Sequence, residues 1–323
     1  MPPVDRNKPK RAKSSESCYT LMEFMADFPD DATCLQWLWV NRYSADGEHA
    51  YCERCAETRA FARYTTKQRR QSWTCTACGH HLHPTAGTIF HKSSTSLHLW
   101  FYAMYLMTST RCGISAKQLE REFGVTYKTA WRMFTLIRNE LMTQDDTQLE
   151  GHVEADETYV GGRPRLRDMP RRADGSVKPG KSEKANQRVT VVGAVERGGR
   201  VHAIALPKGD QGGIASHVAD FVASSAVLYT DEYVGYDKVG ATLKEHHRIR
   251  HAARVYVSGD VHTQTIEGFW SLVKRGISGT HHSVSAKWLQ GYLNEYAWRY
   301  NNREAEGAAQ FLRLILRAAS IPV

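Results

Sequence analysis

Two Cys-x2-Cys pairs, Cys52/Cys55 and Cys75/Cys78, are separated by the nineteen residues 56–74. Four thiolates on two tight turns offer Zn(II) a tetrahedral sulfur set with bonds of about 2.3 Å. The separation falls in the window of about 15–20 residues usual for such sites. Gly79 suits the turn after the second pair. Four unrelated buried cysteines are the plainer alternative. A site filled by four Cys has no open position, so the expectation is one structural Zn(II). His80, His81 and His83 are then surplus, at the surface or facing a partner. Cys18, Cys34 and Cys112 have no mate at metal spacing and read as small apolar residues. This usage points to metal binding in a reducing cytoplasm rather than to disulfides.

Around this module the composition changes in steps. Residues 1–17 are polar and basic, with no apolar h-region. They read as a disordered arm, and no secretory signal is expected. Residues 18–47 carry helix-like apolar spacing, with FPDD marking a turn before a capped second helix. Residues 48–90 form the expected zinc ribbon, with strand-like RAFARYTT and RQSWTC. Residues 91–149 turn helical, and 150–315 read as a larger α/β domain. In that domain HVEADETYVGG is strand-like, RVTVVGAVE and RVHAIALP form a hairpin across Gly-Gly, IASHVADFVAS is helical, and AVLYTDEY is a strand ending in acids. Between the first two strands, residues 163–188 hold nine Lys or Arg against three acids, with three Pro and two Gly. That stretch reads as a mobile basic loop. From about His262 the chain is helical, with a break near Gly276 to Ser283.

Within 91–149, AKQLEREF, Gly124 and the helix capped by Thr126 read as helix, turn, helix. One reading is a helix-turn-helix whose second helix enters the DNA major groove. Tyr127, Lys128, Thr129 and Arg132 would then meet bases or phosphates. The other reading is an ordinary helical hairpin. A net charge of +9 favours a polyanionic partner but does not decide between them.

Asp156 lies at or near the end of HVEAD, Asp231 ends AVLYTD, and Glu267 lies on the helix TIEGFWSLVKR. Two strand-end acids and one helical acid are placed to converge, and carboxylates so arranged can hold two Mg(II) or Mn(II) ions about 3.5–4 Å apart. Spacing alone is weak, because the chain has 34 acids. Glu157 and Glu232 each follow a candidate, so on a strand they should point to the opposite face. Glu154 shares the face of Asp156, and Asp260 reads as a helix cap. Lys274 and Arg275, two turns after Glu267, would hold a phosphate or form a solvated helix end. Trp270, Trp288, Trp298 and Tyr300 read as core. His281 and His282 read as polar loop surface, and Asn301, Asn302 and Arg303 as DNA contacts or caps.

DETYVGG, TDEYVGYD, HTQTIEGFWSLVKRGI and LQGYLNEYAWRYNNR resemble the signature segments of bacterial DDE insertion-sequence transposases that carry an N-terminal zinc ribbon. HPTAGTIFHKSSTSLHLWF resembles the front half of the same family, so the likeness spans about residues 20–315. It implies an RNase H-like catalytic domain, a mixed-sheet α/β fold, with Asp156, Asp231 and Glu267 as the metal-binding triad. One departure is Gln264, where such proteins often have Asn three positions before the Glu. The two amides offer the same donors and acceptors.

The resemblance implies binding of terminal inverted repeats, metal-dependent strand cleavage and strand transfer, and a homodimer or higher assembly on double-stranded DNA. Loop 163–188, with Arg171 and Arg172, would track phosphates. Two other classes remain open: a DNA-binding regulator with an inactive catalytic domain, and an RNase H-like nuclease without strand transfer. No segment has the roughly 18 apolar residues a membrane helix needs. The expected place of action is the cytoplasm, at the nucleoid.

Overall fold

A computed structural model describes residues 19–65, 71–110, 112–161, 171–176, 188–207, 213–249, 262–305 and 308–320. The chain forms two compact units, residues 1–141 with 304–323, and residues 142–303.

The first unit opens with helix α1 (Leu21–Asp27), whose start is closed by reciprocal bonds between Thr20 and Glu23. Pro29 breaks the helix, and Asp30 caps α2 (Asp31–Arg42) through the Thr33 N–H at 2.8 Å. Strands β1 (His49–Cys52), β2 (Glu57–Thr65), β3 (Gln71–Cys75) and β4 (His81–Leu82) form an antiparallel sheet in that order. Trp39 of α2 stacks on Trp73 of β3 at 4.7 Å, and its Nε1 donates to Gly47 O at 2.9 Å. That contact seats the small sheet on a helix it needs, because four short strands bury little apolar area by themselves. Helix α3 (Leu97–Ser109) is apolar on most faces and correspondingly buried. The expected pair of helices about Gly124 follows as α4 (Ala116–Phe123) and α5 (Tyr127–Leu136). Gly124 supplies the left-handed turn at φ +63°, and the Thr126 side chain accepts from the Thr129 N–H.

The second unit is a five-stranded mixed sheet ordered β7-β6-β5-β8-β9. Strands β5 (His152–Val160), β6 (Val189–Glu196) and β7 (Val201–Ala205) form an antiparallel meander. The expected Gly-Gly hairpin joins the last two, with Gly198 at φ +75°. Helix α6 (Ile214–Phe221) crosses to β8 (Val227–Thr230), which runs parallel to β5. The short α7 (Asp237–Gly240) leads to β9 (Glu245–Arg248), parallel to β8. Helices α8 (Gln264–Gly276) and α9 (Leu289–Asn301) follow, joined by a π-helical turn where the break was expected. Apolar side chains of α8 and α9 meet Val160, Val191 and Val195 on one face of the sheet. On the other face, α6, α7 and Tyr236 meet Val153, Ala155, Val192 and Leu228.

The free edge of β7 is closed by side-chain amides. Gln144 accepts from Ala203 N and donates to Ala203 O, each at 2.8 Å. Gln290 accepts from Ala205 N at 2.9 Å, and Asn301 bonds both Val201 N and Val201 O. An edge strand otherwise offers a row of groups for another strand to pair with.

The last helix, α10 (Ala309–Ser320), belongs to the first unit, whereas residues up to 315 were expected in the α/β domain. The cause is its apolar stripe. Phe311 is buried and packs 5.7 Å from Tyr19 and 5.6 Å from Phe24. Arm 1–17, Cys18, Asp260 and most of loop 163–188 lie outside the described residues; in 171–176 the chain turns through Arg172 N–H to Ser176 O at 2.8 Å.

Candidate active site and metal centre

Sheet register brings Asp156 and Asp231 together. Strands β5 and β8 pair in parallel as Val153↔Leu228 and Glu154↔Tyr229. Carried two residues further, the same register sets Asp156 beside Asp231, where β8 has ended. The sequence suggested that β5 ends near Asp156. It instead continues to Val160 against β6, and only the pairing with β8 stops, at Glu154. The acids therefore sit where a parallel neighbour runs out, the kind of crevice where open α/β sheets bind ligands.

A third carboxylate joins them. Asp156, Glu157 and Asp231 each offer an oxygen within 4.8 Å of the others. Glu157 springs from the opposite face, as alternation requires, and its Oε2 accepts from the buried Tyr236 hydroxyl at 2.6 Å. Alternation had argued that it would point away from the site; that expectation fails because β8 no longer blocks the approach past its end. Tyr236, which the sequence did not single out, is legible only as the second aromatic of TDEYVGYD.

The cluster is electrostatically uncomfortable on its own. Burial, then the charges of Glu157 and Asp231, push the Asp156 carboxyl up to about 7. Burial also raises Glu157, opposed by the Tyr236 hydroxyl and reinforced by Asp231. Tyr236 is raised by burial and then by Glu157. Crowded hard oxygens of one sign are the donor set a divalent cation relieves.

Glu154 does something else. It is fully buried and accepts from Arg197 Nε at 2.8 Å, Thr265 N at 2.7 Å, Thr265 Oγ1 at 2.9 Å and Ile266 N at 3.1 Å. His262 Nδ1 also approaches to 3.1 Å without hydrogen-bond alignment. Glu154 thus caps α8 from another strand, where Thr263 at the N-cap makes no side-chain cap bond. It is spent there, and although it shares the face of Asp156 it is not among the three clustered carboxylates.

Glu267 lies in the first turn of α8, exposed, with Thr263 Oγ1 at 3.2 Å from its Oε1. It stands outside the three-oxygen group. Three residues on, buried Trp270 donates from Nε1 to Asp156 Oδ2 at 3.1 Å, so Glu267 is carried on the helix face turned toward Asp156. Trp270 is core, as expected, and also part of the site. Gln264 is exposed at the first position of α8, and Lys274 and Arg275 are exposed in its last turn. Glu232 is exposed beside Asp231. Asn301 serves the β7 edge, Asn302 donates to Trp298 O, and His281 meets the Tyr292 ring at 4.7 Å.

In the first unit the sulfurs of Cys52, Cys55, Cys75 and Cys78 all lie within 4.8 Å of one another. Cys52 and Cys78 are 3.5 Å apart, and Cys55 and Cys75 3.9 Å. A disulfide requires about 2.05 Å, whereas sulfurs tetrahedral about Zn(II) at 2.3 Å stand about 3.8 Å apart. Burial opposes ionisation of Cys75, but the N–H groups of Cys78 and Ala77 prevail and hold it at about 7. The geometry fits a zinc ribbon. His80, His81 and His83 stay out of the cluster, and His81 Nδ1 sits 2.9 Å from Thr74 Oγ1. Cys34 is buried as expected, whereas Cys112 is exposed.

Tyr127, Lys128 and Arg132 are exposed along α5, and Thr129 is half-buried. Lys117 lies over the Tyr127 ring at 5.8 Å. Arg171 and Arg172 are exposed, Arg171 donating to Gly175 O at 3.1 Å. Among the described residues no helix is long and apolar enough to cross a membrane.

Residues 148–301 match a family model described as the ISXO2-like transposase domain. An uncharacterized protein in transposable element ISH50 of Halobacterium salinarum is 33% identical over 257 residues, covering 77% of this chain and 84% of that protein. An uncharacterized transposase-like protein of Haemophilus influenzae is 21% identical over 122 residues, 38% of this chain and 98% of that protein.

Proposed function

Since the chain belongs to the insertion-sequence transposases, we propose that it cleaves DNA at the ends of its own element and joins those ends to target DNA, using Asp156, Asp231 and Glu267 in an RNase H-like domain. The observation that carries this reading is the meeting of Asp156 on β5 with Asp231, just past the end of the parallel β8, with Glu157 beside them. Divalent cations held there, Mg(II) or Mn(II), supply Lewis-acid activation at phosphorus for an in-line displacement.

The protein's own groups do the rest. Asp156 and Asp231 hold the cations from the sheet, and Glu267 approaches from α8. Glu157, kept in place by Tyr236, adds negative charge that strengthens cation binding. Lys274 and Arg275, two turns along α8, hold flanking phosphates. Four thiolates hold one structural Zn(II) that keeps the ribbon folded. Tyr127, Lys128 and Arg132 on α5 read or grip the element end, while Arg171 and Arg172 track backbone phosphates. Two ends must be handled together, so a homodimer or larger assembly on DNA is expected, acting in the cytoplasm.

The test is a strand-cleavage and strand-transfer assay on duplexes carrying the inverted repeats that flank the gene, with Mg(II) or Mn(II). Nicking at the ends followed by joining supports the reading. End binding without nicking leaves a regulator, and cutting indifferent to end sequence without joining leaves a nuclease.

A further inference from the structure

We propose that Trp270 is a positioning residue for the acidic site: its indole N–H, admitted by the missing side chain of Gly193, sets the orientation of the Asp156 carboxyl relative to Glu267. This rests on the reading of Asp156 as a cation ligand.

In the β5–β6 register Gly193 is the direct partner of Asp156, so their side-chain positions share one face of the sheet. The Trp270 ring lies over that position. A Cβ at residue 193 would stand 2.6 Å from Cη2 and 2.8 Å from Cζ2 of the indole. Both are ring carbons in a buried, packed residue, with Phe269 at 5.2 Å, so the ring cannot yield by a simple swing. Only glycine lets the indole cross β6 and present Nε1 to Asp156 Oδ2 at 3.1 Å.

Two tethers therefore join α8 to β5. Glu154 holds Thr265 and Ile266, and Asp156 holds Trp270. Glu267 lies between these points, so its distance from Asp156 is set from both sides along the helix. A ring kept for packing alone would serve as Phe. The indole N–H adds a donor and no acceptor, aimed at one oxygen of the carboxylate. Hydrogen bonds of this kind orient a ligand, and their loss weakens metal affinity by about 10–100-fold.

The experiment uses the full-length, zinc-loaded protein and titrates Mn(II), with the free ion followed by electron paramagnetic resonance. Trp270→Phe should bind Mn(II) about tenfold more weakly, and DNA binding measured without divalent cation should stay at the wild-type level. Benzothienylalanine at position 270 keeps the bicyclic shape without the N–H and should weaken Mn(II) as Trp270→Phe does, even if the Phe variant folds poorly. Gly193→Ala should weaken binding too. The Mn(II) concentration for half-maximal cleavage should rise by the same factor. Wild-type Mn(II) affinity in both residue-270 variants overturns the proposal while leaving the acidic site standing. A wild-type protein that binds no Mn(II), or binds it just as well after Asp156→Asn, overturns the site and this proposal together.

Discussion

Glu154 on β5 accepts the backbone N–H of Ile266 at 3.1 Å, so a strand carboxylate caps a helix that begins more than a hundred residues later. The helix that carries Glu267 is thereby fixed to the strand that carries Asp156. Replacing Glu154 with Ala removes the buried carboxylate that Arg197 Nε and the N–H groups of Thr265 and Ile266 share, while Arg197 keeps its bond to His262 O. The expected cost is about 3–5 kcal/mol, the range for breaking a buried pair. Urea denaturation of Glu154→Ala measures it, and a loss below about 0.5 kcal/mol, typical of surface changes, would remove the anchoring role.

Asp156 gives the cation-free protein a distinctive pH dependence. Its carboxyl is pushed up to about 7, above the unfolded value of about 3.9. The folded state therefore binds a proton that the unfolded state has released. The favourable contribution is complete below about pH 4 and disappears as pH rises through about 7. His202, held low by burial, titrates with the opposite sign, so the comparison must be with a variant that retains it. Asp156→Asn should melt higher than wild type at pH 8 without divalent cation, by a margin that shrinks toward pH 4. Mn(II) should close the gap at pH 8 by stabilising wild type alone. Parallel melting curves across the range would contradict the shift.

The ribbon should carry one zinc per chain by elemental analysis. Cys52→Ser should lose it, lower the melting temperature of the first unit and weaken binding to the element ends. A zinc-free protein with unchanged stability and end recognition would contradict a structural site.

Arg171 and Arg172 are expected to touch phosphates, not bases. Changing both to Ala should weaken DNA binding about equally for specific and random duplexes. It should also reduce the slope of log K against log salt by about one per lost contact. A slope identical to wild type would make these residues bystanders.

The amides on β7 should keep that edge from pairing with other chains. Gln144→Ala with Gln290→Ala uncovers Ala203 and Ala205 and should raise self-association in sedimentation velocity without DNA. A double variant that sediments as wild type does would show the edge is protected by other means.

Features with a short-range cause were readable from sequence. The four thiols sit on turns the chain must make, Asp30 and Thr126 cap the helices they precede, and Gly124 and Gly198 occupy left-handed turns. What escaped depended on contacts between distant segments. β9 reads as polar EHHR because it is an edge strand with little buried face. α10 looks like a continuation of the α/β domain, yet Phe311 finds its aromatic partners far back in the chain. Glu157 was set aside by strand alternation, which holds for where a side chain starts but not for how far a Glu can reach past a strand that has stopped. Trp270 was read as core, which it is; nothing local reveals that its N–H meets Asp156 across the position of Gly193.

The most direct test is crystallographic. Crystals of the full-length protein soaked in Mn(II) and measured near the manganese edge should give anomalous density between the carboxylates of Asp156 and Asp231, with Glu157 or Glu267 within ligand distance. Anomalous density bound elsewhere, with none at these two aspartates at saturating Mn(II), would contradict the account.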